Sequence, residues 1–377
     1  MRIPYNKPYL SGNEIEYITD AVKRGHISGD GYYTRLCHQY LENKYNYRKV
    51  LLTHSCTAAL EMAAILAGIK PGDEVIMPSF TFVSSANAFV LRGARIVFCE
   101  SSKEHPNMDI DHLETLITSK TKAIVPVHYA GMACDMDRVM EIAARYNLFV
   151  IEDAAQCIDA FYKGKPLGGI GHFGCFSFHE TKNIQCGEGG LLIINDGRFI
   201  ERAEIIREKG TDRSKFFRGE IDKYGWVDIG SSYLPSDMNA AYLYAQLENS
   251  EDIMRKRVEL WNRYYEDLID LETQGLLRLP EIPVGSSNNG HIFYIVCNNP
   301  HDRNQLLEFL KERGIGAVFH YQALHQSKMM AGLYQKELPE AERYTGCLLR
   351  LPLFYELSLE EQEFVIEAVR GFFKRES

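Results

Sequence analysis

Gly174-Cys-Phe-Ser-Phe-His-Glu-Thr-Lys-Asn183, followed by Cys186-Gly-Glu-Gly-Gly190, is the stretch whose reading decides the fold. Its apolar and aromatic start reads as a buried strand, and its polar end sets Lys182 where the chain changes direction. Glycines follow at once, and glycine lets a backbone turn tightly or approach a ligand closely. A lysine on such a loop is usually a solvated side chain. Desolvation or cationic neighbours would instead lower its pKa and free the amine to form a Schiff base with an aldehyde cofactor. The glycines at 187, 189 and 190 would let the chain turn away without crowding that group, so a bulky residue at Gly189 is expected to harm ligand binding more than folding.

Working outward, short β-prone runs alternate with helical patterns. The runs are Val50–Thr53, Glu74–Pro78, Ala94–Phe98, Ala123–His128, Phe149–Asp153, Cys175–Phe178 and Gly190–Ile194. Between them Thr57–Leu66, Thr81–Val90, Asp111–Ile117 and Met136–Tyr146 have helix-compatible spacing, and Thr34–Tyr45 precedes them. The alternation predicts an α/β protein with a mostly parallel seven-stranded sheet covered on both faces. From Asp237 to Asp270 the sequence is largely helical, interrupted at Asn249-Ser250. Beyond it, strands at His291–Cys297 and Ala317–Phe319 and helices at Asp302–Arg313 and Ser358–Phe373 predict a smaller α/β domain. The division is a large domain over 1–245 with an N-terminal lead-in, then a bridging helix and small domain over 246–377.

The 377 residues are 45% hydrophobic and 25% charged, enough for a large core without disorder. A formal charge of −9 argues against nucleic acid and acidic membranes as partners. No apolar run reaches spanning length, and residues 1–20 lack a signal peptide's apolar core. Nine cysteines without paired spacing fit a reducing cytoplasm.

Ligands of open parallel sheets bind at the carboxyl ends of strands. After the first run, Ser55-Cys56-Thr57 opens a helix, which is either a simple cap or a phosphate site at the helix N-terminus. After the second, Phe82 either packs in the core or stacks on a planar ring. After the fifth, Glu152-Asp153-Ala-Ala-Gln156 supplies a carboxylate that caps a turn or pairs with a protonated ring nitrogen. Phosphate cradle, aromatic lid, carboxylate and amine are together the parts a protein supplies to pyridoxal phosphate.

The order of these parts also resembles the fold-type-I pyridoxal-phosphate enzymes, specifically the DegT/DnrJ/EryC1/StrS nucleotide-sugar aminotransferases. The segments that carry the likeness are Leu52-Thr-His-Ser-Cys-Thr57, Phe178-His-Glu-Thr-Lys-Asn183, Arg207-Glu-Lys-Gly210, Phe216-Phe-Arg-Gly219, Asp228-Ile-Gly-Ser-Ser-Tyr233 and Leu351-Pro-Leu-Phe-Tyr355. The resemblance implies Lys182 as the lysine bonded to the cofactor, Asp153 at the pyridinium nitrogen and Gln156 at the ring hydroxyl. It further implies Cys56, Thr57 and Ser177 at the phosphate, with Phe82 stacked on the ring. Family members usually carry Gly-x-Asn where this chain has Gly230-Ser-Ser232, so Ser232 would replace the asparagine that reaches the partner subunit's phosphate. A homodimer with shared sites is implied, with glutamate as donor and a dTDP-linked 4-keto-6-deoxyglucose aminated to the 4-amino-4,6-dideoxygalactose. Another nucleotide 4-keto sugar is the alternative acceptor, and a non-catalytic sugar-binding regulator the alternative role.

Other substrate contacts are expected from the cation-rich stretch 207–223, with Arg207, Lys209 and Arg218 gripping a diphosphate, although its interspersed acids equally suit a solvated face. His320 and Tyr321 in the small domain offer ring edges and a hydroxyl to a sugar. No convincing spacing suggests a metal. No GxGxxG follows the first strand, which argues against a dinucleotide-dependent dehydrogenase.

Overall fold

In the computed structural model, which describes residues 2–374, the chain opens with helices α1 (Glu14–Lys23) and α2 (Tyr32–Tyr45). The alternating region follows as β1 (Val50–Thr53), α3 (Cys56–Leu66), β2 (Glu74–Pro78), α4 (Val83–Val90), β3 (Arg95–Cys99), α5 (Ile110–Thr115), β4 (Thr121–Ile124), α6 (Met136–Tyr146) and β5 (Phe149–Asp153). A small hairpin, β6 (Phe161–Tyr162) and β7 (Lys165–Pro166), leads to β8 (Phe173–Ser177) and β9 (Gly190–Ile194). The large sheet has seven strands in the order β1-β9-β8-β5-β4-β2-β3, all parallel except β9. β2 and β9 are buried along their whole length, and β4, β5 and β8 at all but one residue each, as a sheet covered on both faces requires.

The expected fourth run lies early. Regular pairing ends at Ile124 because Pro126 has no N–H to give, yet its carbonyl accepts from Asp153 N–H at 2.9 Å and keeps the two strand ends together. Helix α4 starts at Val83 rather than Thr81, since Phe82 is extended at the N-cap. An unforeseen helix, α1, had a legible signal: Ser11 and Glu14 stand at capping-box spacing, and the Glu14 carboxylate accepts from Ser11 N–H, Ser11 hydroxyl and Gly12 N–H.

After α7 (Ile200–Arg207) and the short α8 (Arg213–Phe217), α9 (Asp237–Glu248) and α10 (Ser250–Thr273) form the long helical region, broken at Asn249 as its sequence suggests. The remainder builds a four-stranded antiparallel sheet, β10 (Leu277–Arg278), β11 (Phe293–Cys297), β13 (Leu348–Leu351) and β12 (Val318–Phe319) in that order. Helices α11 (Pro300–Glu312), α12 (Pro339–Cys347) and α13 (Leu359–Phe373) accompany it. The N-terminal segment joins this smaller sheet region rather than the large one: Ile3 bridges Ile315, and Gly316 N–H donates to Ile3 carbonyl at 2.8 Å. Arg257 on α10 is buried and donates to the carbonyls of Gly290, His291 and Leu353, tying the helix to the segments before β11 and after β13.

Candidate active site

Asp153, the last residue of β5, is buried. Ser85 hydroxyl donates to its Oδ2 at 2.6 Å and Ala155 N–H to its Oδ1 at 3.2 Å, while Ser85 shares a further 2.8 Å bond with Thr81. The first turn of α4 thus orients the carboxylate. Burial raises the Asp153 pKa, opposed by Ser85, Ala155 and the charge of Lys182. A buried acid held this way is ready for a cation, which would restore its ionised form. Its neighbour Glu152 points elsewhere: it accepts from the N–H groups of Gly168, Ile170 and Gly171 and pairs with His128 at 3.1 Å, so it is a scaffold residue.

Lys182 stands on the loop between β8 and β9, one strand over from Asp153, and is partly buried. Burial pushes its amine below the ordinary lysine range; Cys56 and Asp153 act against the shift, and the Arg350 guanidinium reinforces it. Next to it, Asn183 shares a 2.8 Å bond with His291 Nδ1 and donates to Asn289 carbonyl at 2.9 Å. Asn289 in turn donates to the carbonyls of Gln156 and Ile158. The loop is therefore clamped by the segment that precedes β11.

Ser55 caps α3 by accepting from Ala58 N–H, and the first turn leaves N–H groups of Cys56 and Thr57 without partners inside the helix. Thr57 hydroxyl bonds Ser84 hydroxyl at 2.8 Å. Ser177 ends β8 opposite Gly190. A Cβ on Gly190 would lie 2.2 Å from Ser55 C and 2.4 Å from Cys56 N, so only glycine lets β9 pass this helix start. The crowding expected at Gly189 has a different cause: its Cβ would meet Cys186 Sγ at 2.5 Å and Phe178 Cβ at 3.3 Å. Substitution there strikes the packing of the loop itself, so folding and ligand binding suffer together, and the residue next to the cradle is Gly190.

Phe82 is 55% exposed and lies 6.1 Å from the Tyr321 ring, free to cover a planar group. Gln156 accepts from Ala130 N–H at 2.6 Å and donates to the Tyr321 hydroxyl at 3.1 Å. His320 shares a 3.1 Å bond with the Tyr129 hydroxyl, and burial holds its pKa well below the usual range, so the ring is neutral. Large-sheet ends and the segment after β12 thus meet at Gln156 and Tyr321. Ser84, Ser85, Tyr129, Asn183, Asn289 and His291 belong to this network without a sequence signal, because their partners are remote in the chain.

The cationic stretch behaves differently. Arg207 is buried, donating to Leu52 carbonyl at 2.8 Å and to Asp30 at 2.6 Å, so it is a strut and not a free anion grip. Lys209 pairs with Glu208, and Arg218 with Glu204 and Glu220. Of the two sequence readings, the solvated face fits these pairings. Ser232 lies on an exposed segment bridged to Glu208.

A buried acid electrostatically coupled to a pKa-lowered lysine one strand over, a helix start open to an anion and an exposed phenylalanine ring beside Tyr321 fit pyridoxal phosphate. The model of the DegT/DnrJ/EryC1/StrS aminotransferase family matches residues 8–370. The chain is 33% identical over 380 residues to GDP-perosamine synthase of Escherichia coli O157:H7, with 98% of each chain covered. Its fold is similar to the aminotransferase TlmJ from Streptoalloteichus hindustanus, at a TM-score of 0.92, 28% identity and full coverage of both chains. The pyridoxal-phosphate form of the sugar aminotransferase Spr1654 from Streptococcus pneumoniae, named as putative, matches at a TM-score of 0.91 and 25% identity, covering 100% of this chain and 99% of that one. The chain belongs to the DegT/DnrJ/EryC1/StrS aminotransferase family and is a pyridoxal-phosphate-dependent sugar aminotransferase.

Proposed function

We propose that the enzyme aminates the 4-keto group of a nucleotide-linked 6-deoxy sugar, with dTDP-4-keto-6-deoxyglucose as acceptor, the dTDP-linked 4-amino-4,6-dideoxygalactose as product and glutamate as donor. The observation that supports the residue roles is that Lys182 and Asp153 lie at the ends of adjacent strands and act electrostatically on each other. When bound, pyridoxal phosphate supplies an aldehyde and an electron-withdrawing ring that makes a neighbouring C–H bond acidic. Lys182 would be the residue that bonds the cofactor, and its amine would hold and move the proton as base and then acid. Asp153, aimed by Ser85, holds a protonated ring nitrogen. The N–H groups of Cys56 and Thr57, with Ser177, bind the phosphate, Gln156 faces the ring hydroxyl, and Phe82 covers the ring. Tyr321 and neutral His320 border the space left for the sugar.

We further infer a homodimer in which Ser232 of one subunit reaches the other's phosphate. Phe217, Trp226 and Val227 support this, since they are 69%, 83% and 55% exposed on the segments leading to Ser232, an apolar surface suited to a second copy. No helix among the described residues is long and apolar enough to cross a membrane, and the nine cysteines are buried and free, in keeping with a cytoplasmic site of action. The division into domains at 1–245 and 246–377 is part of the same reading.

A GDP-linked 4-keto sugar is the second reading for the acceptor, favoured by the identity to GDP-perosamine synthase. Incubation with glutamate and a panel of dTDP-, UDP- and GDP-linked 4-keto sugars, followed by assignment of the C4 configuration, decides between them. Amination of the GDP sugar alone, or an equatorial C4 amine, overturns the first reading.

A further inference from the structure

Resting on the reading above, we propose that Ser79 and His325 are positioning residues for the keto sugar: their bond fixes the segment that carries His320 and Tyr321 against the end of β2. Ser79 is the first residue after β2, and His325 lies on the single turn Leu324–Gln326. The Ser79 hydroxyl shares a 2.7 Å bond with His325 Nδ1, and the other ring nitrogen, Nε2, lies 3.1 Å from Glu342 Oε1 on α12. The backbone joins in. His325 N–H donates to Ser79 Oγ at 3.2 Å, Leu324 N–H to the Ser79 carbonyl at 2.9 Å, and Ala323 N–H to the Thr345 hydroxyl on α12 at 3.0 Å. Because Ser79 Oγ accepts from that N–H, its own hydrogen is free for Nδ1, and Nε2 then donates to the Glu342 carboxylate. Serine, imidazole and carboxylate in a row are also the parts of a nucleophilic triad. Burial excludes that use, since Ser79 is 0% exposed and its hydroxyl is closed to a substrate.

What the bond positions follows from what is already fixed on either side of it. Ser79 N–H is held by the Cys99 carbonyl at the end of β3. Helix α12 is held by Glu100, whose carboxylate accepts from the N–H groups of Glu340 and Ala341, and by the Lys103 carbonyl, which accepts from Arg343 and Tyr344. Both anchors of His325 thus rest on the β2–β3 edge of the large sheet, and the piece that they fix is the chain around residue 325. Four residues before it, Tyr321 meets Gln156, and His320 meets Tyr129. On the Ser79 side, Phe80 packs on the Tyr321 ring at 5.7 Å and Phe82 faces it at 6.1 Å. The Ser79–His325 bond therefore sets how Tyr321 stands to Phe82. Asp153 and the Lys182 loop are held by other contacts, from Ser85 in one case and through Asn183 to Asn289 and His291 in the other, so they keep their places when this bond is lost.

The test uses Ser79→Ala, His325→Asn and His325→Gln holoenzymes in single turnover, with the nucleotide keto sugar that wild type aminates. In the half-reaction of the aminated enzyme, Ser79→Ala should need about tenfold more keto sugar for half-maximal rate, while the half-reaction with glutamate and the cofactor absorbance change by less than about twofold. An asparagine amide reaches the place of Nδ1 and a glutamine amide that of Nε2. His325→Asn should therefore keep much of the sugar affinity, and His325→Gln should resemble Ser79→Ala; these two carry the comparison if Ser79→Ala does not fold. Equal loss in both half-reactions, an unchanged sugar requirement in Ser79→Ala, or a loss in His325→Asn as large as in His325→Gln overturns the proposal. If wild type aminates no nucleotide keto sugar, the functional reading fails first and takes this inference with it. If wild type aminates one and Ser79→Ala needs no more of it, the inference alone fails.

Discussion

Two clusters of positive charge teach different lessons. Along 207–218, Arg207, Lys209, Arg213, Lys215 and Arg218 each lie against a carboxylate, and Arg207 is also buried as a brace between α7 and β1. Around the strand ends, Lys182 and Arg350 are few, and among the described residues neither has a carboxylate bonded to it; Arg350 is held by the Tyr5 hydroxyl and the Phe319 carbonyl, and the buried acid Asp153 acts on Lys182. The denser cluster has its charges neutralised internally, and the sparse one keeps them available. What matters for binding is the cation left without a partner, which depends on neighbours and not on composition.

The sharpest way to break this contrast is Lys182→Ala. Loss of its proton transfer and cofactor bond should lower turnover by about a thousandfold or more and remove the cofactor absorbance band, with melting temperature maintained. Residual activity near wild type would remove Lys182 from the chemistry. The lowered pKa also has a pH signature: uptake of pyridoxal phosphate by the apoprotein, which needs the unprotonated amine, should remain fast at lower pH than for an ordinary lysine. Arg350→Gln removes a cation that favours the neutral amine, so the limb of that profile should move to higher pH.

Asp153→Asn comes next. The amide keeps the bond from Ser85 but not the charge, and activity should fall about a hundredfold with cofactor still bound. A loss below about threefold would mean that the ring nitrogen is held otherwise.

Gly190→Val and Gly189→Val separate cradle from loop packing. Gly190→Val should abolish cofactor retention by forcing β9 away from the start of α3, whereas Gly189→Val should lower melting temperature and occupancy in parallel. Equal behaviour of the two in a titration of occupancy against stability would refute the distinction.

In the paired cluster, Arg207→Ala should destabilise by about 1–3 kcal/mol in denaturant unfolding, since Leu52 carbonyl loses its donor, with activity per folded molecule kept. Lys209→Ala and Arg218→Ala should leave nucleotide-sugar KM unchanged; a tenfold rise would assign them to substrate after all.

Legibility followed the range of the interactions. The runs at Glu74–Pro78, Phe149–Asp153 and Gly190–Ile194 coincide with strands because burial on both faces demands continuous apolar sequence. Helix α12 and β13 carry little sequence signal, because Pro339–Cys347 has weak spacing and Leu348–Leu351 is short and contains Arg350.

Gln156 at the ring hydroxyl followed from the family resemblance, whereas the α/β class, the order of strand-end motifs, and Lys182 and Asp153 as candidate amine and carboxylate for pyridoxal phosphate followed from the sequence itself. These rest on local periodicity and on short motifs, both written consecutively in the chain. Only the tertiary structure decided that Ser85 aims Asp153, that Asn289 and His291 clamp the Lys182 loop, that Arg207 is a brace and that Arg350 is left with a donor to spare. Each of those joins residues far apart in sequence, and whether a side chain is neutralised or free is settled by what the fold packs against it.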